Sequence, residues 1–583
     1  MHRTPTTGSG MIAAAPGRLM AALLAGTLPP LLAYNLPPSP TLLNQCLAVA
    51  LWGGFVIALM PGGLPLRGRA LFAAIAVMAA AVLWSGTAGA LPSALTLSAL
   101  ALLAGAAALA WAGSDAARRP DAPAIFGCFA AGLAAAGLLS AGVALVQVFA
   151  PDWTDGNVIA HSGLVGRAVG NLRQPNHLCS LLLWGVVGAI GLFELRGLGR
   201  AATIALVVLL VFAVELSASR TGALGLVLLA LWGLLDRRLS GTARVLLIAT
   251  PLIYGLSYGA MALYGQWSHQ AIGAEARIAA GEATGIDSPN SRPRIWANAL
   301  SLIAQQPWFG VGFGEFNLAW SLTPFPGRPT AFFDHTHTLP LQLAVELGVP
   351  LAALVLGLMV FALWQAWQRS QRADGDAGVA ARSAWMLVLL TGLHSLFEYP
   401  LWYAYFLLPV AFAWGFALGA PSGEAASAAR PKATAWPGTV VGGLLVLGGA
   451  LAMLDYMRVV AIYAPGTNAG PLQARIGSGQ HSVLFAHHAD YAAATSADPL
   501  PGSLLAFRRA PHYLMDTRLM LAWTRHLAAN GQLDRARALA ARLREFRNAD
   551  SDEFFAPCQA GDTQAFQCQP PQAPHGWREF TAE

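Results

Sequence analysis

Charge is scarce in these 583 residues. Asp, Glu, Lys and Arg together make up 11% of the chain and apolar residues 56%, whereas soluble domains carry about 25% charged residues. Lysine is nearly missing, Lys432 being the only one, so the formal charge of +6 rests on arginine. A surface so poor in charge is not that of a water-soluble protein, and the positive balance points to loop topology rather than to nucleic acid. Cysteine is also sparse. Cys46, Cys128 and Cys179 fall in or near apolar runs and read as small hydrophobes. Cys558 and Cys568 lie together in the tail and can bond in an oxidising compartment. The spacing of His335 and His337 could chelate zinc, but no HExxH and no cysteine cluster accompanies it, so no metal site is expected. There is no glycine-rich nucleotide loop either, which argues against an enzyme driven by ATP or a sugar nucleotide.

What the chain has in quantity is long apolar runs. Thirteen segments are long enough to be read as bilayer spans: 17–35, 42–60, 69–86, 92–113, 123–150, 176–195, 201–218, 221–236, 243–264, 341–366, 383–397, 401–419 and 437–457. The first lacks a small-residue cleavage site and is expected to be retained as a helix. The expected fold is an all-α polytopic membrane protein with about 13 transmembrane helices. With the N-terminus on the cytoplasmic side, sixteen basic residues fall in inside loops and seven in outside loops of the membrane part. That asymmetry favours this orientation and puts the C-terminus outside. Four regions follow: N-terminal spans over 1–264, an outer loop over 265–340, C-terminal spans over 341–459 and an outer helical domain over 460–583. In the last, 511–547 reads as two amphipathic helices broken at Ala529-Asn530-Gly531. Both a tetratricopeptide-like hairpin and a small helical cap fit that pattern.

The seven outer arginines are Arg167, Arg173, Arg220, Arg277, Arg292, Arg294 and Arg328. Arg220 sits in a turn of only a few residues between two apolar runs, where a cation either snorkels to lipid phosphate or serves a substrate. A planar fork of donors suits phosphate oxygens, so the set points to an anionic, phosphorylated substrate on the outer side. On the same side, Asp334-His335-Thr336-His337 precedes the run that starts at Leu341. Histidine titrates near neutral pH, and ionisable groups at a membrane boundary default to a functional reading. Glu346, inside that run, is expected to be the buried partner of an Arg or His.

Four short segments carry a family resemblance. Gly170-Asn171-Leu172-Arg173-Gln174-Pro175-Asn176-His177 resembles the Gln-Pro-Asn signature of bacterial protein O-oligosaccharyltransferases of the PglL type. His337-Thr338-Leu339-Pro340-Leu341-Gln342 with Glu346-Leu347-Gly348 is similar to the His-Asn-x-x-Leu-Gln…Glu-x-Gly motif of the wider O-antigen ligase/polymerase superfamily. Arg292-Pro293-Arg294-Ile295-Trp296 and Pro307-Trp308-Phe309-Gly310-Val311-Gly312-Phe313-Gly314 resemble its Arg…Trp and Gly-x-Gly stretches. His394-Ser395-Leu396-Phe397-Glu398-Tyr399-Pro400-Leu401-Trp402-Tyr403 looks like the Glu-Tyr-Pro-Leu segment of the protein-glycosylating branch. The likeness covers about residues 160–420, with one departure: Thr338 stands where the family has Asn.

The resemblance implies en bloc transfer of a glycan from undecaprenyl pyrophosphate to a hydroxyl of a periplasmic or pilin-like protein, at a bacterial inner membrane, without cofactor or nucleic acid. It implies His337 as base, with His335 second choice. Arg220 would grip the pyrophosphate, with Arg173 and Arg292 or Arg294 assisting. Gln174 and Asn176 would bind sugar or phosphate oxygens, or satisfy backbone at a helix start. Tyr399 and Tyr403 would contact the donor, and Glu398 would orient His337 or pair an arginine. A lipid A-core ligase or an O-antigen polymerase shares this machinery. A transporter of an anionic lipid or solute is the more distant alternative; against it, no inverted repeat is visible.

Overall fold

The computed structural model describes residues 16–62, 67–279, 292–325, 327–421, 436–496 and 503–581. Arg3, Arg430 and Lys432, three of the sixteen inside basic residues, lie outside the described residues. Regular structure among the described residues is helical, as expected where lipid leaves backbone polar groups only intra-segment partners. Among the described residues, nine helices are long and apolar enough to cross a membrane. A tenth candidate is the pair Gly241–Ile248 and Thr250–Ser268, bent by 45°. Arg220–Leu235 and Ala404–Gly419 are shorter apolar helices, and Pro16–Leu31 carries Pro29 and Pro30 in its last turn. The chain is a multi-pass α-helical membrane protein.

One expected run is divided. The segment read as 341–366 is two helices, Leu339–Leu347 and Val349–Arg372, with Gly348 at φ +77° between them. A Cβ on Gly348 would lie 2.4 Å from the Trp308 carbonyl oxygen, so the loop 307–310 crosses where only glycine fits. The membrane-length helix therefore starts at Val349, not at Leu341.

The chain forms two compact units, each assembled from three segments. The first comprises Met1–Ala73, Ala104–Ala283 and Leu358–Leu451; the second comprises Ala74–Leu103, Thr284–Gly357 and Ala452–Glu583. In the first, Ala122–Phe149 packs along Pro175–Glu194 so closely that a Cβ on Gly137 would lie 3.0 Å from the Gly185 Cα. Small residues substitute here for a hydrophobic drive that lipid does not supply. Trp52, Phe55, Phe129 and Phe412 fill the neighbouring space with ring centroids 4.9–5.8 Å apart. The buried Arg382 donates to the Asp236 carboxylate at 2.7 Å, and neither charge is tolerable alone in such surroundings.

In the second unit one apolar core runs through both the loop region and the tail, joining Ile295, Leu302, Trp320, Val345, Trp523, Leu539 and Phe546. Thr517–Ala529 and Leu533–Phe546 form a hairpin around Asn530-Gly531, with Gly531 at φ +76°. Asp516 caps the first of these helices, accepting from the Leu519 N–H at 2.8 Å. Cys558 and Cys568 are disulfide-bonded. Arg328 is fully buried. Its guanidinium donates to the carbonyls of Trp320, Ser321 and Thr323, pairs with Glu545 at 3.0 Å and lies over the Phe546 ring.

Candidate active site

Within the first unit, three helix ends meet around Asn176. Gln174 is the N-cap of Pro175–Glu194, its Oε1 accepting from the His177 N–H at 2.7 Å. That is the backbone-satisfying role weighed for it, and Pro175 at the first position needs no partner. The Asn176 amide faces the other way. Its Nδ2 donates to Glu398 Oε1 at 3.0 Å and its Oδ1 accepts from Ser219 Oγ at 2.6 Å. Ser219 in turn caps Arg220–Leu235 through the Gly222 N–H. Glu398, 5% exposed, is thereby tied to the turn that carries Arg220.

That turn is held from several sides. Ala218, at φ +54°, ends Arg200–Ser217 in the left-handed conformation. Arg167 donates to the Ser217 carbonyl at 3.3 Å and Arg277 to the Ala218 carbonyl at 2.9 Å. Cations on the last carbonyls of a helix are favoured by its dipole. These arginines serve the protein's own backbone, as does Arg173, whose Nη2 donates to Ala33 O at 2.7 Å and Gly156 O at 3.3 Å. Arg220 differs. Its side chain is exposed and makes no hydrogen bond or ion pair among the described residues, at the positive end of a helix. Nearby, Tyr399 lies 5.7 Å from Tyr403, and Tyr403 lies edge-on to His177 at 4.7 Å.

Within the second unit the histidine loop forms a relay. The Asp334 carboxylate accepts from His335 Nδ1 in a short contact, and His335 Nε2 meets His337 Nδ1 at 3.2 Å. With Asp334 ionised, His335 carries its proton on Nδ1 and accepts on Nε2. His337 then donates from Nδ1 and keeps its lone pair on Nε2. Both ring nitrogens of His335 thus have protein partners. His337 stands at φ +57°, a conformation few non-glycine residues adopt.

The surroundings hold it there. The Thr336 N–H donates to Gln342 Oε1 at 2.8 Å, and Gln342 Nε2 donates to Glu346 Oε1 at 2.9 Å. Trp296 Nε1 donates to the Thr336 carbonyl at 2.9 Å. Glu346 also accepts from the backbone N–H groups of Gly314 and Phe316, and burial lifts its carboxyl to about 7. Its partners are thus an amide and backbone, where an Arg or His was expected. The Gly-x-Gly stretch wraps the same helix, Val311 N donating to Val345 O and Gly312 N to Glu346 O, each at 2.9 Å. A Cβ on Gly310 would lie 2.4 Å from Glu346 O. These glycines therefore fit backbone to backbone.

Thr338 is the N-cap of Leu339–Leu347 but makes no side-chain cap bond. Its carbonyl accepts instead from Thr336 Oγ1 at 2.9 Å. Beside it, Trp296, Leu300, Ile303, Pro340 and Leu341 line an open apolar groove of about 490 Å³. Arg294 donates to the Gly327 carbonyl at 3.4 Å, and Arg292 is half-buried at the start of the same helix. Asp334 was noted with the histidines but given no role from sequence, and Ser219 was not singled out. The signals were an Asp directly before a His and a Ser at the N-cap position before Arg220.

Residues 205–356 match the O-antigen ligase family, 168–193 the protein glycosylation ligase family and 382–555 the C-terminal region of virulence factor membrane-bound polymerases. These segments hold the histidine relay, the Arg220 turn, Asn176 and Glu398. The chain is thus similar, over these segments, to the O-antigen ligase superfamily and its protein-glycosylating branch. Among similar proteins of Acinetobacter baylyi, a general O-oligosaccharyltransferase is 27% identical over 257 residues, 43% of each chain. A ComP-specific O-oligosaccharyltransferase is 24% identical over 262 residues, 43% of this chain and 44% of its own. The chain thus spans less than half the length of these superfamily relatives.

Proposed function

We propose that this chain transfers a glycan en bloc from undecaprenyl pyrophosphate to a Ser or Thr hydroxyl of a periplasmic or pilin-like protein. The observation that carries this reading is the Asp334–His335–His337 relay, which in its ionised-Asp tautomer presents a basic imidazole nitrogen. His337 Nε2 takes the acceptor hydroxyl proton as that oxygen bonds to the anomeric carbon. The bond from this carbon to the pyrophosphate oxygen breaks, and its electron pair leaves with undecaprenyl pyrophosphate. Attack from the side opposite the leaving group inverts the anomeric centre. The positive charge gained by His337 is shared through His335 toward the Asp334 carboxylate.

Arg220 neutralises charge developing on the leaving pyrophosphate, helped by the positive end of its helix. Asn176 and Glu398 position that turn, and Tyr399 and Tyr403 contact the donor. Arg292 or Arg294, on the helix that also supplies Trp296, is the second cation; Arg173 acts chiefly by holding backbone. The protein would lie in the inner membrane with thirteen spans, its N-terminus cytoplasmic and the 265–340 and 460–583 regions periplasmic, the tail helices offering a surface to the acceptor.

The test is glycoproteomics of periplasmic and pilin-like proteins with the wild-type gene, without it, and with His337→Ala. Glycopeptides present only with wild type are expected. Intact protein glycosylation alongside lost capping of lipopolysaccharide would instead assign the chain as a lipid A-core ligase.

A further inference from the structure

Two routes lead from the C-terminal helices to the histidine loop, and the reaction as proposed uses neither. The first is polar. His512, just before Thr517–Ala529, reaches Glu315 with its Nδ1, 2.7 and 2.8 Å from the two carboxylate oxygens, and both side chains are buried. Glu315 leads into the Phe316–Leu322 helix directly after the Gly-x-Gly stretch. The N–H groups on either side of it, of Gly314 and Phe316, bond the Glu346 carboxylate. From Glu346 the chain of bonds runs through Gln342 to the N–H of Thr336, the residue before His337. Arg578, near the C-terminus, donates to the Val311 carbonyl at 3.3 Å in the same stretch.

The second route is aromatic. Phe546, the last residue of Leu533–Phe546, stacks on Phe332 with centroids 3.8 Å apart and lies 5.8 Å from Trp320. Trp320 is edge-on to Phe333 at 5.8 Å, and Phe333 is edge-on to His337 at 5.6 Å. The loop is therefore braced on both flanks, at 332–333 and at 336, by residues that bear on the tail. A non-glycine residue at φ +57° persists only where its surroundings over-determine it.

We propose that His512 and Phe546 are positioning residues for His337, the tail helices holding the base in place rather than serving only as a surface for the acceptor. The inference rests on His337 being the base. A displacement of the reacting group of about 1 Å costs on the order of a hundredfold in rate.

The test uses the full chain in detergent with lipid-linked glycan and an acceptor peptide. His512→Ala and Phe546→Leu are expected to lower kcat about ten- to a hundredfold while donor affinity stays at the wild-type value. His512→Gln, whose amide can still donate to Glu315, is expected to restore most of the rate. Reaction of histidines with diethyl pyrocarbonate, read by mass spectrometry on the peptide containing His335 and His337, needs no turnover. It is expected to be faster in His512→Ala and normal in His512→Gln.

Wild-type kcat and modification rate in both His512→Ala and Phe546→Leu would overturn the proposal, as would a loss of donor affinity equal to the loss of rate. If His512→Ala fails to fold, Phe546→Leu and His512→Gln with the modification assay decide on the same criteria. His337→Ala is the separate control: full transfer in that variant removes the base assignment itself, whereas lost transfer there with unaffected tail variants removes only this inference.

Discussion

In the proposed reaction His337 depends on its neighbours more than on its own identity. With Asp334 ionised, the contacts through His335 favour one tautomer of His337, while Thr336, Gln342 and Glu346 hold its backbone. His337→Ala is expected to lower transfer by roughly 10²–10⁴ with donor binding retained, the range for a lost general base; wild-type turnover in a single-turnover assay would exclude that role. Asp334→Asn removes the anion that selects the tautomer and is expected to reduce kcat without raising the donor KM. Glu346 adds a pH dependence. Burial raises its carboxyl from an ordinary 4.5 to about 7. Between those values the unfolded chain ionises while the folded one keeps its proton, so stability is complete below 4.5 and falls as pH rises toward 7. Melting temperatures of wild type and Glu346→Gln across that window should therefore diverge, the wild type losing ground. At this scale the histidines were legible because His-x-His beside an apolar run is unusual. Asp334 as the relay's end was not, since adjacency in sequence says nothing about side-chain direction.

At the scale of elements, the turn 215–220 shows how helix ends are held together around Arg220. A left-handed Ala218 stops one helix, Ser219 starts the next, and Arg167 and Arg277 clamp the carbonyls between them. Ser219→Ala removes both the cap and the bond to Asn176 and is expected to cost about 1 kcal/mol for the cap alone. It should also raise the donor KM through a looser Arg220. Arg220→Ala is expected to raise that KM further and to slow the chemical step; unchanged values for both in a donor titration would exclude it from the pyrophosphate site. Each of the thirteen apolar segments corresponds to a helix or helix pair, because hydrophobic run length is a strong local signal. The break at Gly348 escaped that signal. It exists because residues 307–310 pack there, a contact with no local trace beyond the glycine.

The whole molecule departs most from a picture of separate membrane and tail modules. The core of the second unit includes Trp320 and Val345 as well as Trp523 and Phe546. Arg328, counted from sequence among outer arginines available to phosphate, lies inside that core on three carbonyls and Glu545. Arg328→Ala is expected to destabilise the protein by about 3–5 kcal/mol, the range for breaking a buried pair. Thermal unfolding should show this, together with loss of transfer; a wild-type melting temperature would contradict the structural role.

Composition and pattern alone determined that this is a multi-pass helical membrane protein, and short motifs carried its likeness to the O-antigen ligase superfamily. Spanning hydrocarbon demands long apolar runs, and the family's motifs lie within short stretches of chain. Only the tertiary structure decided which polar residues are taken up by the fold. Gln174, Arg167, Arg173, Arg277 and Arg328 are occupied by backbone groups, whereas Arg220 is exposed and His337 stands at the end of a relay. The reason is physical: a buried carbonyl without a partner is costly, and which arginine satisfies it depends on chain segments that meet only on folding.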